Sequence, residues 1–210
     1  MEYKLDMSMM FAMHDALRRD LERLGRIAAR PDDDPARLLQ TAAGWELFKT
    51  FLLTHHTSED DVLWPALRTA VAGHRDQLAL ADALEEEHSV IEPLFAAIDA
   101  AGADPDHGHE RFGGLVDELI TKLSAHLAHE ENDGLPLIDA VLSEEDWQRF
   151  GNTNGQRNRP FMETFLPWLL SEASPQARDA IIGTLPPQVL TPFRERWEPE
   201  YIARNVWKGL

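Results

Sequence analysis

The chain contains no cysteine. This excludes disulfides, zinc–thiolate sites and a thiol nucleophile, and it fits a reducing compartment. No stretch approaches the roughly 18 uninterrupted apolar residues of a membrane helix. The first fifteen residues carry Glu2 and Asp6 and lack both the basic start and the long apolar run of a signal peptide. A soluble, cytoplasmic protein is the expectation. Positive charge is also scarce, with 20 Lys and Arg against 37 Asp and Glu and a net charge of −17. That balance argues against nucleic acid as a partner, because nucleic-acid binding depends on cations neutralising phosphates. A membrane surface is not an expected partner either. There is no nucleophile triad, phosphate-cradling glycine loop or dinucleotide fingerprint, and Gly113-Gly114 is a lone pair that matches none of them. No catalytic residue and no organic cofactor is therefore assigned.

What is present is helical. With 43% hydrophobic residues in 210, the chain can build a core. Its apolar residues recur three and four apart. The first segment, about 8–29, follows Met7, Met10, His14, Leu17, Leu21, Leu24 and Ala28. A polar break at Pro31–Pro35 follows, with Pro35 placed to open the next helix. The second segment, about 36–72, carries Trp45, Phe48, Leu52, His55, Glu59 and Val62 on one face, with a kink or break expected at Pro65. The third, about 75–101, lines up Leu84, His88, Ile91, Phe95 and Ile98, with a bend expected at Pro93. The fourth, about 110–133, lines up Val116, Leu119, Leu123, His126 and Glu130 before Gly134 and Pro136.

Four long amphipathic segments with short connections give an all-α fold, an up-down-up-down four-helix bundle over residues 1–142. Residues 143–210 read as a C-terminal helical extension packed on it. A capping box of Ser143 with Asp146 opens the extension, a polar loop at 151–159 follows, and helices then begin near Phe161, at Ser174-Pro175 and after Pro186-Pro187. Its apolar helices make a homodimer as reasonable an expectation as a monomer.

Nine histidines are present, and their positions carry the chemistry. Each core stripe holds one: His14, His55, His88 and His126. Four buried imidazoles in one core leave several polar nitrogens to satisfy, and a metal ion satisfies the acceptors together. Two of the four have a glutamate four residues later, His55 with Glu59 and His126 with Glu130. At that spacing both side chains reach one point inside the bundle. A buried carboxylate without a cation is expensive. The motifs also match at length: a leucine precedes each histidine by three and a proline follows by ten, Pro65 and Pro136. This is an internal duplication that would present two half-sites across a pseudo-twofold axis. Two half-sites suit two metal ions bridged by two carboxylates. Nitrogen and carboxylate donors on helices favour iron or manganese, with zinc also admissible.

The order His, His-x-x-x-Glu, His, His-x-x-x-Glu resembles the hemerythrin-like, or HHE cation-binding, domain over about residues 8–142. The tail, with its Pro167–Leu170 and Trp197–Tyr201 segments, resembles extensions on some bacterial members. The resemblance implies His14, His55, His88 and His126 as terminal iron ligands. It implies Glu59 and Glu130 as bridging ligands, with an oxo or hydroxo group completing a di-iron centre. It further implies a small ligand, O2, NO or peroxide, which is bound or sensed. A catalase-like peroxide-decomposing enzyme and a structural metal bundle are the alternatives.

One departure from the family stands out. Oxygen-carrying hemerythrins have a fifth histidine four residues after the one on the third helix, and here that position is Glu92. Both irons are then expected to keep an open position, unless Glu92 fills one, which favours peroxide or NO chemistry over oxygen carriage. The other histidines read as peripheral. His56 and His129 are expected at the bundle surface or supporting a ligand, and His74, His107 and His109 in turns. Asp60 and Glu131 are candidates to hold the outer nitrogens of ligand histidines. Glu85–Glu87 reads as an exposed acidic turn.

Overall fold

The computed structural model describes residues 3–30, 34, 36, 39, 42–104 and 106–207. The expected helix start at Pro35 and the side chain of His109 lie outside the described residues. Helix α1 spans Ser8–Ala28 and buries Met10, Met13, His14, Leu17, Leu21, Leu24 and Ile27. Helix α2, Ala43–Ser58, passes through a π-helical turn at Glu59–Leu63 into α3, Trp64–Ala70. Helix α4 spans Arg75–Ala103. Helix α5, Gly108–His129, passes through a second π-helical turn at Glu130–Gly134 into α6, Leu135–Val141. Among the described residues there is no strand and no helix long and apolar enough to cross a membrane.

The expected break at Pro65 and the expected end before Gly134 are both replaced by these wide turns. In each, the backbone N–H reaches back five residues: Trp64 to the Glu59 carbonyl and Leu135 to the Glu130 carbonyl. A proline in an ordinary helix collides with the carbonyl four residues back. Widening the helix by one residue just before Pro65 and Pro136 relieves that collision and lets the axis continue. Pro93 lies within the unbroken α4, on its exposed side.

Two apolar clusters stack along the bundle axis. One joins Leu17, Leu24, Phe48, Leu52, Ile91, Ile98, Phe112 and Leu123; the other joins Met7, Met10, Leu63, Trp64, Leu84, Leu135 and Ile138. Helix α1 begins in the second cluster and ends in the first. The α2–α3 rod runs the opposite way, α4 returns and α5–α6 runs back. That alternation is an up-down-up-down bundle, and the histidines and glutamates fall in the layer between the two clusters.

The remaining α-helices are α7 (Glu144–Asn158), α8 (Met162–Leu170), α9 (Pro175–Thr184), α10 (Pro187–Pro192) and α11 (Glu198–Arg204), with a 3₁₀ turn at Arg159–Phe161 and a third π-helical turn at Phe193–Trp197. The Ser143 hydroxyl caps α7 by accepting the Asp146 N–H at 3.1 Å. The 151–159 stretch, read from its Gly and Asn content as a loop, is mostly the second half of α7. The cap, the acidic first turn and Phe150 packed in the second cluster outweigh the helix cost of Gly151 and Gly155. The C-terminal helices have no separate core, since Phe165, Trp168, Leu169, Phe193 and Trp207 join the first cluster.

Buried Asp20 ties that region to α1. It accepts from Arg19 at 3.0 Å, from Arg23 at 2.9 Å and from the Trp168 indole at 2.7 Å. At the chain's end, the Gly44 N–H donates to the Val206 carbonyl at 2.8 Å, and the Trp207 ring occupies the space a Gly44 side chain would need.

Candidate metal centre

All six residues expected at the site are buried in the middle layer: His14, His55, Glu59, His88, His126 and Glu130. The structure brings His14, His55, Glu59 and Glu130 into one group whose donor atoms lie within 4.8 Å of one another. A second group of the same compactness contains His88 and His126, and its third member is His56. His56 is fully buried and stacks on His88 with ring centroids 3.7 Å apart and planes 4° from parallel. The surface place expected for His56 is therefore corrected, and it lies in the core against His88. Helix α2 is covered on a broader arc than one stripe, and Phe48, Leu52 and His56, spaced by four, are all inside. The third histidine of the second group thus comes from α2 and not from the Glu92 position of α4. Glu92 itself is half-buried and belongs to neither group.

Ring nitrogens face each other across the site. His14 Nε2 lies 3.3 Å from His55 Nε2, and His88 Nε2 lies 3.2 Å from His126 Nε2. Glu59 spans the two groups, with Oε1 3.2 Å from His55 Nε2 and Oε2 3.6 Å from His88 Nε2. Glu130 Oε2 is 3.2 Å from His14 Nε2. Apart from these imidazole contacts, none of the four carboxylate oxygens of Glu59 and Glu130 has a hydrogen-bond partner, and neither ring nitrogen of His56 has one. Buried polar atoms are rarely left in that state. A cation between the two groups satisfies them at once, so the donor set fits a metal ion.

Three of the histidines are fixed from behind by carboxylates. His14 Nδ1 donates to Glu131 at 2.9 Å, and Arg18 donates to the same carboxylate at 2.8 Å. His88 Nδ1 donates to Asp60 at 2.7 Å, and His126 Nδ1 to Glu87 at 2.8 Å. Such bonds put the proton on Nδ1 and leave Nε2 free to face a metal. Asp60 and Glu131 thus stand where the sequence placed them. Glu87 does not: it is on α4 rather than in an acidic turn, is half-buried, and also accepts from His129 at 2.8 Å. Its neighbours stay outside: Glu86 is exposed, and half-buried Glu85 pairs with Arg68.

Electrostatics polarise the metal-free layer. Burial resists a charge on His14, but Glu130 and Glu131 prevail and raise its pKa to about 9. Burial would likewise lift Glu130, yet His14 and its neighbouring imidazoles hold it down at about 2. Burial, followed by the charge of Glu130, raises Glu59 well above the carboxylate range. Burial and the charge of His14 lower His55 to about 3, and burial with the neighbouring imidazoles lowers His56 strongly. Charge therefore rests on a His14–Glu130 pair, while His55 and His56 stay neutral, the form in which imidazole binds metal.

Comparison with known proteins identifies the domain. The family model described as the hemerythrin HHE cation-binding domain matches residues 6–138. A zinc finger protein of Arabidopsis thaliana named BRUTUS is 22% identical over 95% of this chain, and the match covers 18% of that much longer protein. An uncharacterized hemerythrin-like protein of Schizosaccharomyces pombe is 23% identical over 89% of this chain and 85% of its own length. No solved structure matches. With a duplicated histidine–glutamate layer in a four-helix bundle and a family match over well more than half its length, the chain belongs to the hemerythrin HHE cation-binding family.

Proposed function

We propose that the protein holds a pair of iron ions and uses them to bind or sense O2, NO or peroxide. The observation that carries this reading is the pairing of the two buried groups through Glu59, whose two oxygens face one group each. In this reading His14, His55, Glu59 and Glu130 hold one ion. His56, His88 and His126, with the second oxygen of Glu59, hold the other. Two adjacent irons supply redox chemistry toward dioxygen and its reduced forms. The chain's own contribution is positional. Glu131, Asp60 and Glu87 lock three imidazoles with Nε2 inward, and the two apolar clusters exclude bulk water on either side of the layer.

Elemental analysis of protein from iron-supplemented cells, read beside its ultraviolet–visible spectrum, tests the proposal. The expected result is about two irons per chain, as in bundle di-iron proteins, with near-ultraviolet bands that change on adding peroxide or reductant. Stable binding of NO or O2 that reverses when the gas is removed identifies a carrier or sensor. Sustained O2 release from peroxide identifies an enzyme instead. Zinc alone, or no metal and a featureless spectrum, refutes the redox reading.

A further inference from the structure

A cavity of ≈ 710 Å³ lies between the bundle and the C-terminal helices and reaches His55. We infer that it is a binding site for an uncharged organic molecule with an apolar body and one hydroxyl-like end, held beside the metal layer. Its size falls within the range of drug-sized ligand sites. Its walls come from elements distant in the chain: Met9, Met10 and Met13 of α1, Phe150 and Asn158 of α7, and Phe165 and Leu166 of α8. Methionine and aromatic side chains suit an apolar body of irregular outline, because thioethers adapt their shape and contact rings favourably.

Two polar atoms on lining residues lack partners. Asn158 is 2% exposed; its amide N–H donates to Asn154, but its Oδ1 accepts nothing. His55 is also 2% exposed, and its Nδ1 has no partner. It differs in this from His14, His88 and His126, whose Nδ1 atoms all donate to carboxylates. A hydroxyl group both donates and accepts, so it suits either the acceptor on Asn158 or the donor on His55. Charge selects as well. Among the described residues the one ionisable side chain on the wall besides His55 is Asp6, and the chain's net charge of −17 opposes an anion. A neutral alcohol or organic hydroperoxide has the right chemistry, whereas a fatty carboxylate does not.

The position beside a metal rests on the proposed iron centre; occupancy of the cavity does not. The test uses N-phenyl-1-naphthylamine, a neutral, apolar fluorophore with one N–H donor, on the full chain with and without metal. Wild-type protein is expected to give blue-shifted, saturable emission that a medium-chain primary alcohol displaces and the matching carboxylate does not. Asn158→Leu should weaken probe binding about fivefold, the worth of one hydrogen bond. Met9→Trp, at a rim position already 39% exposed, should weaken it at least about tenfold by filling the mouth while leaving the helical circular dichroism unchanged. No blue-shifted emission from wild-type protein, or equal binding by all three proteins, overturns the inference. Metal analysis of the iron-supplied samples separates the two ideas: probe binding by protein that takes up no iron refutes the iron centre alone, and iron uptake without probe binding refutes the cavity site alone.

Discussion

Replacing His56 by leucine should change the sign of its effect with the metal state. In the metal-free protein His56 places two ring nitrogens in the core with no hydrogen bond. An unsatisfied buried polar atom costs about 1–3 kcal/mol. Leucine is close to isosteric and removes that cost. It also forfeits the face-to-face stack on His88, worth about 0.5–1.5 kcal/mol. The net expectation is a metal-free protein stabilised by about 2 kcal/mol, which for a chain of this size raises Tm by about 4–8 °C. With metal the balance reverses. Ligand bound only by the folded state stabilises it by about 2.7 kcal/mol at a hundred times Kd and about 4.1 kcal/mol at a thousand times. Loss of a ligand from the His56–His88–His126 group removes that increment for one ion. Differential scanning calorimetry with iron and with chelator, paired with metal analysis, reads all of this. The variant should melt higher than wild type in chelator, melt lower in iron, and retain about one ion where wild type holds two, the pairing expected of bundle di-iron sites. If His56→Leu lowers Tm in chelator and leaves metal content intact, His56 is a packing residue and the assignment is refuted.

Other perturbations test the frame around the site. Asp20→Ala removes the buried acceptor that Arg19, Arg23 and the Trp168 indole share, leaving Arg19 its backbone carbonyls and Arg23 its Glu172 contact. It should cost about 3–5 kcal/mol by urea unfolding, the scale of a broken buried ion pair. Gly44→Ala places a Cβ 2.3 Å from the Trp207 ring; it should destabilise by about 1–3 kcal/mol and speed proteolysis near residue 207. Tyr201 is pushed up to about 12 by burial, and its hydroxyl has no partner. Because the unfolded tyrosine ionises near 10, stability should be complete below pH 10 and fall as pH rises from 10 to 12, by about 2–3 kcal/mol. Tyr201→Phe should flatten the urea midpoint across that window, and an unchanged slope would show that other groups govern it.

The bundle and most of the site were legible because a helix repeats its face every three to four residues, and His14, His55, His88 and His126 each interrupt an apolar stripe. Glu59 and Glu130 were legible from the repeat of His-x-x-x-Glu followed by proline. What escaped is equally physical. His56 lies one residue round the helix from His55, so a single stripe excludes it. Only the four-residue spacing from Phe48 and Leu52 marks it as buried, and that depends on how many neighbours α2 has. Glu87 sits in an acidic run and acquires its role from His126 across the α4–α5 pair, a contact no local pattern records. The helix over 151–158 is held by its Ser143 cap and by Phe150 packing, against residue preferences that favour a loop.

The two π-helical turns make each half-site a matter of chain length. Such a turn is an ordinary helix carrying one inserted residue. Removing any one residue from 60–63 would restore the ordinary winding, and because the wide turn absorbs its extra residue, the residues beyond it would keep nearly the same facing. Trp64 and Leu67, both fully buried, would stay on the core side, but Pro65 would again meet a carbonyl four residues back. The same count holds at 131–134. The spacing between a glutamate and its following proline is thus under stricter constraint than the identity of the residues between them, and single-residue deletions there should be far more damaging than substitutions at Asp61 or Asp133.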